Sequence, residues 1–224
     1  MNVKTRRRPP ASATAHDWFA GRGWRPFAFQ EEVWRLMAAG TSGLLHAPTG
    51  TGKTLAAWLG AIGRDAALRP EEGAKQGLRV VWLTPLKALA ADTVRALEAP
   101  LDPRGSVPVA HGWSVGLRTG DTSASDRRRL RQSLPTALVT TPETLTIMLS
   151  LDDAHEIFAD LDTVIVDEWH ELLSTKRGVQ TELALARLAA LRPGLVRWGL
   201  SATLANLDDA VCALVGPEIG RAHV

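Results

Sequence analysis

Most of the strand-like runs in this chain are apolar at every position, and that feature limits its possible folds more than any other. Val80-Val81-Trp82-Leu83 and Val164-Ile165-Val166 are examples. A strand that faces water on one side alternates; one covered on both sides does not, and such strands belong to parallel sheets flanked by helices. The runs fall at 43–47, 78–84, 114–118, 137–141, 163–167 and 197–202. Helical patterns fill 29–39, 53–62, 86–98, 125–132, 142–149 and 179–191, with a further one at 206–215. In the 179–191 stretch, Leu183, Leu185, Ala186, Leu188 and Ala189 are expected to form the apolar stripe, leaving Glu182, Arg187 and Arg192 outside. Strand and helix in strict alternation predict one α/β domain with a mainly parallel sheet covered by helices on both faces.

Composition enters as a set of exclusions. At 224 residues, 45% hydrophobic and 22% charged, the chain has enough apolar material for a sizeable core and is not a disordered one. No apolar run approaches the roughly 18–20 residues of a membrane-spanning helix, so no membrane partner is expected. A net charge of +2 gives no whole-surface case for nucleic-acid binding. The single Cys212 forms no internal disulfide and fits a reducing cytoplasm. Residues 1–16, basic at Lys4 and Arg6–Arg8 and rich in Pro, Ala, Ser and Thr, read as a flexible arm. The folded domain is then 17–217, with exposed Gly/Pro-containing loops at 69–77 and 99–112.

Ala47-Pro48-Thr49-Gly50-Thr51-Gly52-Lys53-Thr54 follows a strand and opens a helix. Glycines let successive backbone N–H groups face an anion, and the helix N-terminus adds its positive dipole end. Thr49, Gly50, Thr51 and Gly52 would cradle the phosphates of ATP. Lys53 would reach the β and γ phosphates, and the Thr54 hydroxyl would hold Mg²⁺. The general pattern has Gly where this chain has Ala47, a variant that leaves the other anchors intact.

Val164-Ile165-Val166-Asp167-Glu168-Trp169-His170 sets two carboxylates at the end of a buried strand, the end at which parallel sheets bind ligands. Asp167 suits Mg²⁺, Glu168 suits orienting a water for attack on the γ-phosphate, and His170 suits relaying a hydrogen bond toward a moving element.

On these segments the chain resembles the first RecA-like, P-loop NTPase lobe of a superfamily 2 DExH-box helicase. It is similar in particular to the Lhr-like helicases and, among them, to the ligase-associated DExH-box DNA helicases. Lys176-Arg177-Gly178-Val179 points to the Lhr-like group. The resemblance implies that Gln30, in Gly23-Trp24-Arg25-Pro26-Phe27-Ala28-Phe29-Gln30, reads adenine, with Trp24 or Trp18 as candidates to pack on the base. It implies strand contacts from Thr84-Pro85-Leu86-Lys87 (Pro85 and Lys87), from Arg118-Thr119-Gly120-Asp121 (the first three) and from Thr141-Pro142. Ser201 and Thr203 of Ser201-Ala202-Thr203 would couple hydrolysis to movement. Physical chemistry adds that Thr141 as N-cap with Pro142 at the first helical position makes a helix start able to hold a backbone phosphate without reading bases, and Thr84-Pro85 is expected to open a helix in the same way.

The resemblance further implies an ATP-driven 3′-to-5′ DNA helicase or translocase in DNA repair, acting on single-stranded or forked DNA. Its second lobe would supply arginines to the γ-phosphate. Without that lobe, weak binding of Mg-ATP and slow hydrolysis are expected. Residues 218–224 read as an adapter-derived, non-native tail. An RNA-remodelling DExH lobe and a non-motor binding module remain open as alternatives. Arg127-Arg128-Arg129 with Arg131 is read as a solvated helix face, with strand binding as the lesser reading. His46, His111 and His155 lack metal-ligand spacing, and Cys212 is expected in the core.

Overall fold

A computed structural model describes residues 11–69, 77–101, 110, 112–203, 206–216 and 221–223. Lys4 and Arg6–Arg8 of the arm, most of the 69–77 and 99–112 loops, His111 and residues 218–220 lie outside the described residues. In chain order the elements are α1 (Ala11–Ala20), α2 (Ala28–Ala38), β1 (Ser42–His46), α3 (Lys53–Leu68), β2 (Val80–Leu83), α4 (Lys87–Glu98), β3 (Val115–Arg118), α5 (Ala124–Gln132), β4 (Ala137–Thr140) and α6 (Pro142–Leu149). There follow α7 (Ala154–Ile157), β5 (Thr163–Val166), α8 (Trp169–Leu172), α9 (Lys176–Leu191), β6 (Val196–Ser201), α10 (Leu207–Val215) and β7 (Arg221–His223). The strands form one sheet in the order β3-β4-β2-β5-β6-β1-β7, and every recorded pairing is parallel.

Successive strand residues point to opposite faces, so a run apolar at each position feeds two cores. Leu45, Val80, Trp82, Ile165 and Trp198 pack with Trp34, Trp58, Ile62 and Leu97 of α2, α3 and α4. Leu44, Val81, Leu83, Val164 and Val166 pack with Leu145, Trp169, Leu185 and Leu214 of α6, α8, α9 and α10. The fold is the helix-covered parallel sheet that the apolar runs predict.

Four tryptophans fasten these layers. The indole N–H groups of Trp34, Trp58, Trp169 and Trp198 donate to the carbonyls of Ala56, Leu97, Ala210 and Thr41 at 3.0, 2.8, 2.9 and 2.9 Å. Each buries a large apolar body and satisfies its single polar atom on another segment. Arg64 of α3 makes the buried ionic tie, donating through Nε and Nη2 to Asp162 at 2.8 and 3.1 Å and through Nη1 to the Met37 carbonyl at 3.2 Å.

Several expectations need correction. Helix α1 begins inside the segment read as a flexible arm; Ala15, Trp18 and Phe19 are buried, and the packing of those three orders a stretch whose composition suggests none. The α9 stripe is Gly178, Thr181, Ala184, Leu185 and Leu188, while Leu183 is 67% exposed and Ala186 is exposed. The true stripe keeps the 3.6 period through small residues that a search for leucines passes over. Cys212 is only partly buried, one position off the Ala210, Val211, Leu214 stripe of α10. Helices α7 and α8, of four residues each, are too short to show a period. No strand was expected at β7, which pairs in parallel with β1.

Candidate nucleotide site and strand-contacting edge

Because the strands run parallel, their C-terminal ends share one edge, and every motif singled out in the sequence lies on it or just beyond. β1 leads to the 47–54 loop, β5 to Asp167–His170, and β6 lies between them and ends at Ser201. β2, β4 and β3 lead to Pro85–Lys87, Thr141–Pro142 and Arg118–Gly120 on the other half of the edge.

The phosphate loop turns at Gly50 and Gly52, with φ of 78° and 89°, values that L residues rarely adopt. Gly52 is also close to its neighbour: a Cβ there would stand 2.8 Å from Gln30 Nε2. Thr51 Oγ1 donates to the Pro48 carbonyl at 2.8 Å. Lys53, 8% exposed, donates from Nζ to the Ala47 and Pro48 carbonyls at 2.6 and 2.9 Å. Burial lowers its pKa, and the charges of Glu168 and Asp167 act in the opposite direction. An ammonium held by two carbonyls can exchange them for phosphate oxygens, and Thr49 and Gly50 are exposed beside it.

Gln30 serves a purpose its sequence position did not reveal. Its Oε1 accepts from the Phe27 N–H at 2.9 Å and its Nε2 donates to the Gly52 carbonyl at 3.1 Å. At 2% exposure it braces α2 against the phosphate loop, which leaves one lone pair and one amide proton for a base. Of the two aromatic candidates, Trp18 is buried at 6%, packed edge-on to Phe19 and Trp24 with the Arg22 guanidinium over its ring. Trp24 is 54% exposed and remains the candidate.

At the end of β5, burial and then repulsion from Glu168 push the Asp167 carboxyl up to about 6. Its Oδ1 accepts from the Glu168 N–H at 3.0 Å, and its Oδ2 faces Trp82 Nε1 at 3.4 Å. Trp82 was read only as a core residue, and a tryptophan in a buried strand carries no signal that its N–H meets a carboxylate on the next strand. A carboxyl in this setting gains from a cation, so Asp167 would suit Mg²⁺. Glu168 adopts φ 46°, ψ 48°, the left-handed region that a non-glycine residue occupies at a cost of about 1–3 kcal/mol. Trp169, fully buried and bonded to Ala210, anchors that turn from beneath.

Glu168 Oε2 is buried without a hydrogen-bond partner, and His170 Nδ1 stands 3.5 Å away. The same Nδ1 lies 3.1 Å from Ser201 Oγ, which in turn reaches the Thr203 carbonyl at 3.1 Å. The Ala47 N–H donates to the Ser201 carbonyl at 3.1 Å. Ser201 thus touches both the phosphate loop and the acidic turn, which explains why an otherwise commonplace Ser-Ala-Thr belongs here.

The other half of the edge departs further from expectation. The Thr141 hydroxyl is buried and donates to Thr144 Oγ1 at 3.2 Å, so it is not free to meet a phosphate; Pro142 does occupy the first position of α6. Thr84 does not cap α4, whose N-cap is Leu86, and Pro85 is buried. Lys87 is paired with Asp121 at 2.9 Å, which joins the β2 and β3 loops across the surface. Thr119 is nearly buried, Gly120 is exposed, and Arg118 is 6% exposed. The Lys176–Val179 segment has a structural reason: Arg177 pairs with Glu143 of α6, and a Cβ on Gly178 would stand 2.1 Å from the Leu172 carbonyl. Only glycine lets α9 start so close to α8.

His46 and His155 are exposed, and no group of three or more His, Cys, Asp or Glu side chains placed to hold a metal ion is found among the described residues. No helix among them is long and apolar enough to cross a membrane.

Comparison with known proteins agrees with this arrangement. Residues 27–210 match the family model described as DEAD/DEAH box helicase. The Lhr helicase/probable uracil glycosylase of Mycolicibacterium smegmatis is 40% identical over 211 residues, 92% of this chain. The Lhr helicase/uracil glycosylase of Escherichia coli is 38% identical over 217 residues, again 92% of this chain. In both cases the chain spans only 14% of the relative's length. A solved structure of Mycobacterium smegmatis helicase Lhr bound to ssDNA and AMP-PNP is similar at a TM-score of 0.82 and 39% identity, over 95% of this chain and 27% of that one. With 27–210 of 224 residues inside the family model, and the phosphate loop and acidic turn on one sheet edge, this chain belongs to the DEAD/DEAH box helicases and is Lhr-like in sequence.

Proposed function

We propose that this chain, principally residues 17–217, is the ATP-binding lobe of an ATP-dependent DNA helicase or translocase. The observation that carries the reading is the β5-β6-β1 arrangement, which sets Lys53, Asp167, Glu168, His170 and Ser201 at adjoining strand ends. Gly50, Thr51, Gly52 and Lys53 hold the ATP phosphates; Gln30 and Trp24 face the base; Thr54 and Asp167 hold Mg²⁺. The ion supplies charge neutralisation on the phosphate oxygens. Glu168, with one carboxylate oxygen unpartnered, orients the attacking water. His170 and Ser201 pass the change at the γ-phosphate to Thr203 and the phosphate-loop strand. Movement follows when hydrolysis alters how a second lobe closes on this one.

The strand is single-stranded DNA, held along the loops at Lys87, Arg118–Gly120 and Pro142, with the Thr141 hydroxyl turned instead to Thr144. The ssDNA in the similar Lhr structure favours DNA over RNA. A 3′-to-5′ direction, a repair role and action on forks follow from the resemblance. An arginine supplied to the γ-phosphate by a second lobe is worth about 10³–10⁵ in related sites, so slow turnover is expected of this lobe by itself. Steady-state ATP hydrolysis with and without single-stranded DNA, beside Mg-ATP titration, tests the reading. Nucleotide binding lost in Lys53→Ala and near-background turnover support it. Nucleotide affinity unchanged in Lys53→Ala overturns the phosphate-loop assignment, and stimulation by a matched RNA strand equal to or above that by DNA overturns the DNA reading.

A further inference from the structure

Helix α5 is unusual in this fold because it buries none of its residues. Ser123 Oγ caps it, accepting from the Asp126 N–H at 3.1 Å, and Leu130, half-buried, packs toward Gly116 and Pro135 of the edge strand region. A helix that is polar all round contributes little to a core, so its placement calls for another use. Arg127, Arg128 and Arg131 of α5 line a pocket of about 370 Å³ together with Arg118, Ala124 and Leu151.

Arg118 closes the pocket from the sheet side. It is the last residue of β3, 6% exposed, and its Nε is buried with no hydrogen-bond partner. Burial, and then the charges of Arg127 and Arg131, lower its pKa from the ordinary guanidinium value, with Asp153 acting the other way. Four guanidinium groups thus line one pocket, and the carboxylate acting on Arg118 is Asp153, whose Oδ2 is paired with Arg131 and whose Oδ1 is buried without a hydrogen-bond partner. A buried guanidinium N–H without an acceptor is unfavourable, and a ligand that brings an acceptor oxygen and negative charge relieves it. Arg118 is followed directly by Thr119 and Gly120, so the pocket opens beside the proposed strand path.

We propose that this arginine pocket is a binding site for a phosphodiester group of the nucleic-acid strand, which rests on the strand-contacting reading above. The α5 arginines, read chiefly as a solvated face with strand binding as the lesser alternative, would then grip the backbone beyond the loops, with Arg118 presenting a fork to phosphate oxygens and Arg127 and Arg128 adding charge at the mouth. Contacts to phosphate alone carry no sequence preference, which suits a motor that passes along any strand.

The test is equilibrium binding of a labelled oligothymidylate to the full chain over a range of salt. Arg127→Ala is compared with Arg187→Ala, an exposed arginine of α9 that does not line the pocket. Arg127 is exposed and unpaired among the described residues, so its removal leaves folding intact, and a thermal midpoint checks that. Arg127→Ala is expected to weaken binding about 3- to 10-fold and to lower the slope of log K against log salt by about 0.7, one phosphate contact on a single strand. Arg187→Ala is expected to change neither. Arg118→Lys, which keeps the charge but loses the fork, is expected to weaken binding as well. Unchanged affinity and slope in Arg127→Ala, or an equal loss in Arg187→Ala, overturn the pocket while the loop contacts stand. A wild-type chain that binds nucleotide but no oligothymidylate overturns the strand-contacting reading and the pocket with it.

Discussion

The two halves of the sheet edge are built on opposite electrostatic principles. Around β1, β6 and β5 the charged groups are few, recessed and set against one another. Lys53 is 8% exposed between two carbonyls, the Asp167 carboxyl is pushed up to about 6, and Ser201 is fully buried. Around β3, β4 and α5 the charges are numerous and mostly exposed, held in surface pairs such as Lys87–Asp121 and Arg129–Asp126. The first arrangement fixes one geometry for one small ligand, and water screens it little. The second offers many interchangeable contacts that salt screens readily. Single substitutions should therefore act sharply on the nucleotide half and shallowly on the strand half.

The largest effect is expected beneath the nucleotide half. Arg64→Ala leaves Asp162 buried without its partner and should lower unfolding free energy by about 3–5 kcal/mol in a denaturant titration. A loss below 1 kcal/mol would erase the contrast with surface pairs. Next, Lys53→Ala should weaken Mg-ATP binding by about 100-fold, as for loss of a charge-assisted contact to phosphate, measured by titration with a fluorescent ATP analogue.

Asp167 gives an effect of opposite sign on stability and function. Its carboxyl takes up a proton near pH 6 in the folded chain and near the ordinary 3.8 when unfolded. Between about pH 4 and 6 the folded state holds more of that proton, so this group's contribution to stability falls as pH rises through the window and is lowest above it. Asp167→Asn should therefore raise the thermal midpoint by about 2–4 °C at pH 7.5, and by little at pH 4.5, while abolishing Mg²⁺-dependent nucleotide binding. The smallest effect is expected on the strand half: Lys87→Ala should shift stability by no more than about 0.5 kcal/mol, because it removes an exposed pair. A larger loss would show that the Lys87–Asp121 bridge organises the two loops.

How far the sequence could be read follows the same division. The phosphate loop and acidic turn were legible because each is contiguous, with its chemistry carried by residues adjacent or a few positions apart. The partners that hold them were not. Trp82 approaches Asp167 from a neighbouring strand, Gln30 reaches Gly52 across 22 positions, and Arg64 meets Asp162 across 98. Each of these residues has an ordinary reading where it stands, in a core, a cap or a helix face. The Thr141 hydroxyl misled for the converse reason: its N-cap position was right, but its orientation toward Thr144 is a matter of packing.

Local pattern alone therefore determined the fold class and the six main strands, though not α1, α7, α8 or β7, and it marked the phosphate loop and acidic turn, because apolar runs and short motifs act over a few residues. The tertiary structure decided which groups are buried and which polar atoms find partners. It also brought Arg118 together with Arg127, Arg128 and Arg131 at one pocket. Burial sets the energy of a charge, and burial depends on residues far apart in the chain; no local pattern records it.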